Sequence, residues 1–377
     1  MCRSSQLSSP TKNAATGPTG PTGPTGLTAT ERFDKPAGVR ARIPAGRHAR
    51  NTAGLVVLLV ALLAVCVLSV LVGARDMAIG DVLRALFVFD GSTEHLVVWQ
   101  SRVPRTLIGL VVGPALGVCG ALIQAFTRNP LADPGILGVN AGAAFAVTLA
   151  IGLLGITNPT GYVWFAMLGA FAVTVVVYVL GTTGRSGATP EKLTLAGVAV
   201  GAVLGGVGAS ITLKNREAFE EVRFWGVGSI GGRSAEILLT IGPFILAGLI
   251  IAIAVSRSLN AIALGDELGR TLGARIGTTR VLTILAVTLL AGGATAVAGP
   301  IAFVGLMVPH AVRWFTGPDQ RWVIPYSMVA AAILLLISDV AARVILPSGE
   351  LRVGIMTAVV GAPVLIILAR RRKAHGL

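Results

Sequence analysis

Few residues in this chain are equipped for covalent chemistry. The four histidines, His48, His95, His310 and His375, stand far apart, without the close spacing a metal site needs. No glycine-rich loop ending in Lys-Ser or Lys-Thr occurs, so a nucleotide's phosphates find no cradle here, and any ATP spent on its behalf is hydrolysed by another subunit. Cys66 and Cys119 lie in apolar runs and Cys2 near the start, which gives no disulfide framework. What remains is charge set beside apolar sequence. Asp339 and Arg343 are four apart, the spacing of a pair on one helix face. Arg102 and Arg105 sit three apart at the head of an apolar run, as flanking charges that reach for headgroups or as a contact for an acidic partner. His310 follows Pro309 near the end of another run, where an ionisable group is either a functional residue or a solvated cap. Asn129-Pro130 and Asp133-Pro134 within TRNPLADPG forbid helix and read as a tight turn.

A polar island, Arg257 to Arg280, lies between two long uncharged apolar runs. Leu264, Leu268, Leu272 and Ile276 recur every four residues and define one helical face. Asp266, Glu267, Arg270 and Arg275 lie off that stripe, and Gly265, Gly269 and Gly273 admit a close backbone neighbour. One or two short amphipathic helices are expected at a membrane surface. They either lie on lipid or face a soluble partner.

The elements that hold these residues are membrane spans. The chain has 377 residues, of which 54% are hydrophobic and only 13% charged, half the charge of a soluble domain at roughly 25%. The 48 glycines suit closely packed membrane helices. Residues 1–53, with the repeat GPTGPTGPTG, read as a disordered basic tail. A cleaved leader is the rival reading of the first apolar run, but the uncharged stretch Gly54–Gly73 is longer than a leader's core of about 7–15 residues and reads as a first span. Further spans are expected at 106–126, 135–156, 162–181, 193–213 and 237–255. Val281 to Val312 is too long for one crossing and breaks at Gly299-Pro300 into 281–299 and 300–312. Spans at 322–338 and 353–369 complete an all-α, polytopic fold of about ten transmembrane helices, 54–370, before a basic end at 371–377.

Charge tests that count. With ten spans and both termini cytoplasmic, 21 basic and 7 acidic residues face the cytoplasm, against 10 and 10 outside. The whole net charge of +14 then lies on one side, as the positive-inside rule requires. A nine-span chain would put the terminal RRRK outside. The island at 257–280 becomes cytoplasmic, and Lys214–Glu236 external.

RVPRTLIGLVVG, GALIQAFTRNPLADPGILGVNAG, LTLAGVAVGA, ALGDELGRTLG, AVAGPIAFVGLMVPHAVRWFTGPDQR and ELRVGIMTAVVGAPV together resemble the FecCD-like permeases of iron-chelate and cobalamin importers, over roughly residues 54 to 370. The resemblance implies a type II ATP-binding-cassette importer of the bacterial cytoplasmic membrane. Two permeases, identical or paralogous, sit on two cytoplasmic ATPases that hold ATP and magnesium, and an external binding protein delivers the chelate. This chain itself would bind no cofactor or metal and would not be an enzyme. Nucleic acid is not an expected partner, since the positive charge is topological. The resemblance assigns Leu264, Gly265, Asp266, Glu267, Leu268, Gly269, Arg270, Leu272 and Gly273 to the ATPase contact. It assigns Arg102, Arg105 and Arg343 to binding-protein docking, and the entrance to the fifth span, Thr189 to Lys192, to a gate. Asn129, Pro130, Pro309 and His310 belong to its motifs without a role. The glycine-rich fifth span, with Gly197, Gly201, Gly205, Gly206 and Gly208, would line a path between the two permeases. The implied cargo is an iron–siderophore chelate, with haem and cobalamin as alternatives. An ion-coupled secondary transporter is the rival class, but no acidic residue sits mid-span to hold a coupling ion. A membrane enzyme lacks a clustered acid, base or nucleophile.

Overall fold

The computed structural model describes residues 45–183, 189–346 and 349–373. The expectations for residues 1–44 and 374–377, and for Arg185, lie outside them. Among the described residues there is no strand. The helices in order are α1 (Ala45–Leu71), α2 (Ile79–Phe87), α3 (Thr93–Val97), α4 (Val103–Thr127), α5 (Val139–Gly152), α6 (Pro159–Thr182), α7 (Pro190–Thr212), α8 (Arg216–Gly226), α9 (Glu236–Ala263), α10 (Asp266–Thr271), α11 (Ile276–Ala298), α12 (Val304–Thr316), α13 (Gln320–Val344) and α14 (Val353–Lys373).

Every apolar run read as a span falls in one of these helices, but the bounds differ. The first helix begins at Ala45, inside the stretch read as tail, because nothing between Ala45 and Gly54 breaks it. Among the described residues, seven helices are long and apolar enough to cross a membrane, and Val139–Gly152 and Val353–Ile367 are shorter apolar pieces. The 14 residues of α5 reach only about 21 Å of a hydrocarbon core of about 30 Å. A 3-10 turn, Pro134–Leu137, extends it on one side. At the Gly299-Pro300 break, Gly299 has φ 73° and Phe303 φ 70°, so α12 starts at Val304 rather than at Pro300.

The body is organised around α4, which packs on α9, α11, α12 and α13. Its contact with α12 and α13 is backbone on backbone. A Cβ at Gly120 would stand 1.8 Å from the Gly305 carbonyl oxygen, and one at Gly117 would stand 2.4 Å from that of Ser327. One at Gly113 would meet the Ala332 backbone at 2.6 Å. Gly109, Gly113 and Gly117 recur every four residues, which keeps this bare ridge on one face. Gln124 closes the same crossing, donating from Nε2 to the carbonyls of Gly305 at 3.3 Å and Leu306 at 3.0 Å. It also accepts from Arg313. By contrast, the apolar stretches of α1 and α7 are barely buried.

A side chain on that ridge must force helices apart. Gly120→Val is expected to cost at least the roughly 1–3 kcal/mol of core overpacking. Gly242→Ala in α9, where a Cβ meets nothing within 4 Å, is the neutral control. Thermal unfolding in detergent, followed by tryptophan fluorescence, separates the two.

Candidate coupling and docking sites

The polar island forms a short helix between two longer ones. α9 runs on to Ala263, α10 occupies Asp266–Thr271, and α11 begins at Ile276. Gly265 has φ 116° and Gly273 φ 83°, conformations that side chains resist, and a Cβ at either meets nothing within 4 Å. These two glycines therefore serve the turns, and among the described residues no other part of this chain approaches them. Gly269 is the one used for packing. It is buried, with Ala261 and Ile262 of α9 at 3.4–3.5 Å from its would-be Cβ. Leu264, Leu268 and Leu272 are 62%, 57% and 64% exposed, whereas Ile276 is buried. The stripe read from the sequence is thus three exposed leucines on a turn–helix–turn, with the fourth position folded into the body.

The base of this element is polar. Asp266 accepts from Arg128 at 2.5 Å and from Arg280 at 2.7 Å. Arg128 follows α4 with φ 51° and ψ 28°, and Arg280 lies in α11. Nearby, the Asn260 amide donates to Asp319 at 2.6 Å and its carbonyl accepts from the Gln320 N–H at 2.8 Å, which fixes the end of α9 to the start of α13. In the turn after α4, the Asn129 side chain accepts from Leu131 N–H and Asp133 from Gly135 N–H. Pro134 opens the 3-10 turn. Burial pushes the Asp133 carboxyl above its ordinary value, against the pull of that N–H. Asn129 and Pro130 are accounted for by this turn. Pro309 is buried within α12, and the His310 ring stands edge-on to Trp314 at 5.7 Å.

At the other end the arginines separate into two kinds. Arg102 and Arg343 are only 3% and 2% exposed. Arg102 donates to the carbonyls of Val70 (3.0 Å), Leu71 (2.5 Å) and Arg75 (2.7 Å). Arg343 pairs with Asp339 and donates to the carbonyls of Ser69 and Val72, both at 2.8 Å, and to Ser69 Oγ at 3.0 Å. These are carbonyls at and just beyond the last turn of α1, which lacks helical partners for them. Thr106 Oγ1 donates to the Arg102 carbonyl at 2.9 Å, so the 2.9 Å bond between Ser69 and Thr106 runs with Ser69 as donor. Within this chain, both guanidinium groups are turned onto the end of α1. Arg105 differs: it pairs with Glu350, itself partly exposed, at 2.5 Å.

Lys214–Glu236, read only as an outer loop, contains α8 and a tucked segment. Ser229 N–H donates to the Ala298 carbonyl at 2.7 Å, and Gly354 N–H to that of Gly228 at 3.2 Å. Arg352 donates to the Phe224 carbonyl at 2.9 Å and stacks over its ring. Among the path glycines, Gly201, Gly205 and Gly208 line a cavity of about 250 Å³ between α5 and α7. Gly197 instead packs on the Ile136 carbonyl, with a would-be Cβ at 2.1 Å. Thr189 caps α7 by accepting from Lys192 N–H, so TPEK forms the start of that helix. Sequence reasoning missed Glu350, Arg128 and Arg280 as partners because their contacts join residues far apart in the chain. No group of three or more potential metal ligands occurs among the described residues.

Residues 61–371 match the FecCD transport family. The chain is 44% identical over 320 residues to the ferric enterobactin transport system permease protein FepD of Escherichia coli, covering 85% of this chain and 95% of that one. It is 43% identical over 304 residues to the Fe(3+)-citrate import system permease protein YfmD of Bacillus subtilis, covering 81% and 90%. Its fold superposes with a TM-score of 0.75 on a metal-chelate type ABC transporter solved in an inward-facing conformation, at 27% identity over 85% of this chain and 99% of the other.

The two kinds of arginine predict two phenotypes. Asp339→Asn leaves Arg343 buried without its counter-charge and is expected to cost about 3–5 kcal/mol, read as a lower Tm in detergent. Arg105→Gln removes a pair that reaches the surface and should leave Tm nearly unchanged while weakening capture of an acidic partner at the outer face. A Tm unmoved by Asp339→Asn would show that this pair does not hold the end of α1.

Proposed function

Because the chain belongs to the FecCD transport family, and is thereby the multi-pass membrane permease of an ATP-binding-cassette importer, we propose that it carries a ferric siderophore into the cytoplasm. The relatives named for ferric enterobactin and ferric citrate support an iron chelate over haem or cobalamin. In this reading a separate cytoplasmic ATPase dimer binds ATP and magnesium and performs the hydrolysis. An external binding protein delivers the chelate, and a second permease, identical or paralogous, completes the path. The chain itself holds no cofactor and acts as transport subunit, not enzyme.

The observation that carries the proposal is the exposed row Leu264, Leu268 and Leu272 on a polar, cation-rich end. Three leucines more than half exposed on one short element form an apolar patch that needs a cover. A membrane-facing helix would leave its charged residues free for water. Here Asp266 is engaged with the body and the leucines face outward, which favours a protein cleft. ATP closure would move that cleft, and the rigid helices joined to α10 would tilt with it. The cavity lined by Gly201, Gly205 and Gly208 lies between α5 and the weakly buried α7, which suits a path shared with the second permease. On the outer face, Arg105, paired with Glu350, lies with Arg102 and Arg343 at the proposed contact for the binding protein.

Gly269→Trp is expected to push α10 off α9, and Leu268→Asp to break the apolar face. Both should reduce co-purification of the partner ATPase and should abolish import of ferric enterobactin by proteoliposomes. Haem and cobalamin serve as competing cargoes. Wild-type assembly and uptake in both variants would refute the docking role.

A further inference from the structure

A cavity of about 290 Å³ lies under the coupling element, and Arg128, Asp266, Arg280 and Thr189 all line it. One carboxylate sits at its rim with its two oxygens divided. Oδ1 of Asp266 meets Arg128, the residue after α4, and Oδ2 meets Arg280 of α11. The side-chain ion pairs that hold α10 to the body are thus made by its first residue. The backbone of Arg128 is left-handed, at a helix end where glycine or asparagine sits more comfortably. An arginine held there has its side chain as the reason.

We infer that Arg128, Asp266 and Arg280 form the joint through which displacement of α10 enters the spans, with Arg128 and Arg280 as positioning residues for transport. The inference rests on the reading that the exposed leucines face an ATPase. α10 is six residues long, and glycines with open surroundings flank it at 265 and 273. Between these pivots it is held to the body by the packing of Gly269 on α9 and by the Asp266 ion pairs. Charge-assisted bonds are directional, and the two partly exposed pairs of Asp266 tie any displacement of α10 to the body. They convert a push on α10 into a pull on α4 through Arg128 and on α11 through Arg280. A close-packed interior does not deform, so the movement needs room, and the cavity supplies it. Thr189, the cap of α7, borders the same space, so a change in its shape also reaches the head of α7.

The test uses the complete importer in proteoliposomes, with ferric enterobactin as probe, and compares ATP hydrolysed per chelate imported. Arg128→Gly relieves the left-handed backbone, so its Tm should match or exceed wild type. Its ATP-to-import ratio should nonetheless rise by between about two- and thirtyfold, the span of measured coupling effects. Arg128→Lys should restore the ratio towards wild type. In an Asp266→Asn background, Arg128→Gly should add nothing. A wild-type ratio in Arg128→Gly with the ATPase still bound overturns the joint alone. An equal effect of Arg128→Gly with and without the Asp266 carboxylate also overturns it, because Arg128 would then act elsewhere. A wild-type chain that never retains the ATPase overturns both the joint and the coupling reading beneath it.

Discussion

Everything in this permease hangs on how closely α4 can be approached. Its glycine ridge lets the backbones of α12 and α13 come within van der Waals contact of its own. In a bilayer the lipid tails are as apolar as leucine, so helices gain by packing density and by hydrogen bonds more than by burying grease. Close backbones maximise the first, and Gln124 on the carbonyls of Gly305 and Leu306 supplies the second. The outcome is a rod of 25 residues, about 38 Å long, gripped along its length. Arg102 and Arg105 stand at one end and Arg128 at the other.

The weakly packed first helix poses the opposite problem. Most of α1 faces outward, and its terminal carbonyls would be left bare at the edge of the membrane, where an unpaired polar group costs several kcal/mol. Arg102 and Arg343 answer that need from two different helices, and Asp339 answers the charge of one of them. At the other end of α1, Tyr326 Oη donates to the Asn51 carbonyl at 2.5 Å. A helix with little apolar grip is thus fixed at both ends by polar tethers, with an apolar groove left between it and α12, α13 and α14.

Much of this was legible in the sequence, for identifiable reasons. Helical runs of twenty apolar residues announce themselves, and the Gly299-Pro300 break falls where the chain does turn. The leucine spacing of the island located the exposed row correctly, apart from Ile276. The arginines were harder. Arg102 and Arg343 are separated by most of the chain, and nothing local distinguishes a guanidinium that caps a distant helix from one that greets a partner. The only local hint was the Asp339–Arg343 spacing, because a pair on one face of an apolar helix is more readily buried than displayed. The glycines of the island misled in the same way. A glycine kept for its positive φ and one kept for close packing look alike in a sequence, and here two of three are of the first kind. The outer helices α2, α3 and α8 escaped notice because they are short and amphipathic between longer and stronger signals.

The coupling element shows why such a part has mixed character. A wholly apolar α10 would bind its cleft well but would sink toward lipid or fold back on the body. A wholly polar one would stay in water with nothing to hold. Exposed leucines on one side and a carboxylate engaged on the other fix which face is inward, so the apolar face is presented rather than buried. The cost is an unshielded patch on the isolated chain, tolerable only if the patch is covered once the transporter assembles. The exposed leucines and the divided carboxylate are therefore two halves of one arrangement. In the proposed mechanism the first would meet the ATPase, and the second would keep its movement from being lost in the flanking glycines.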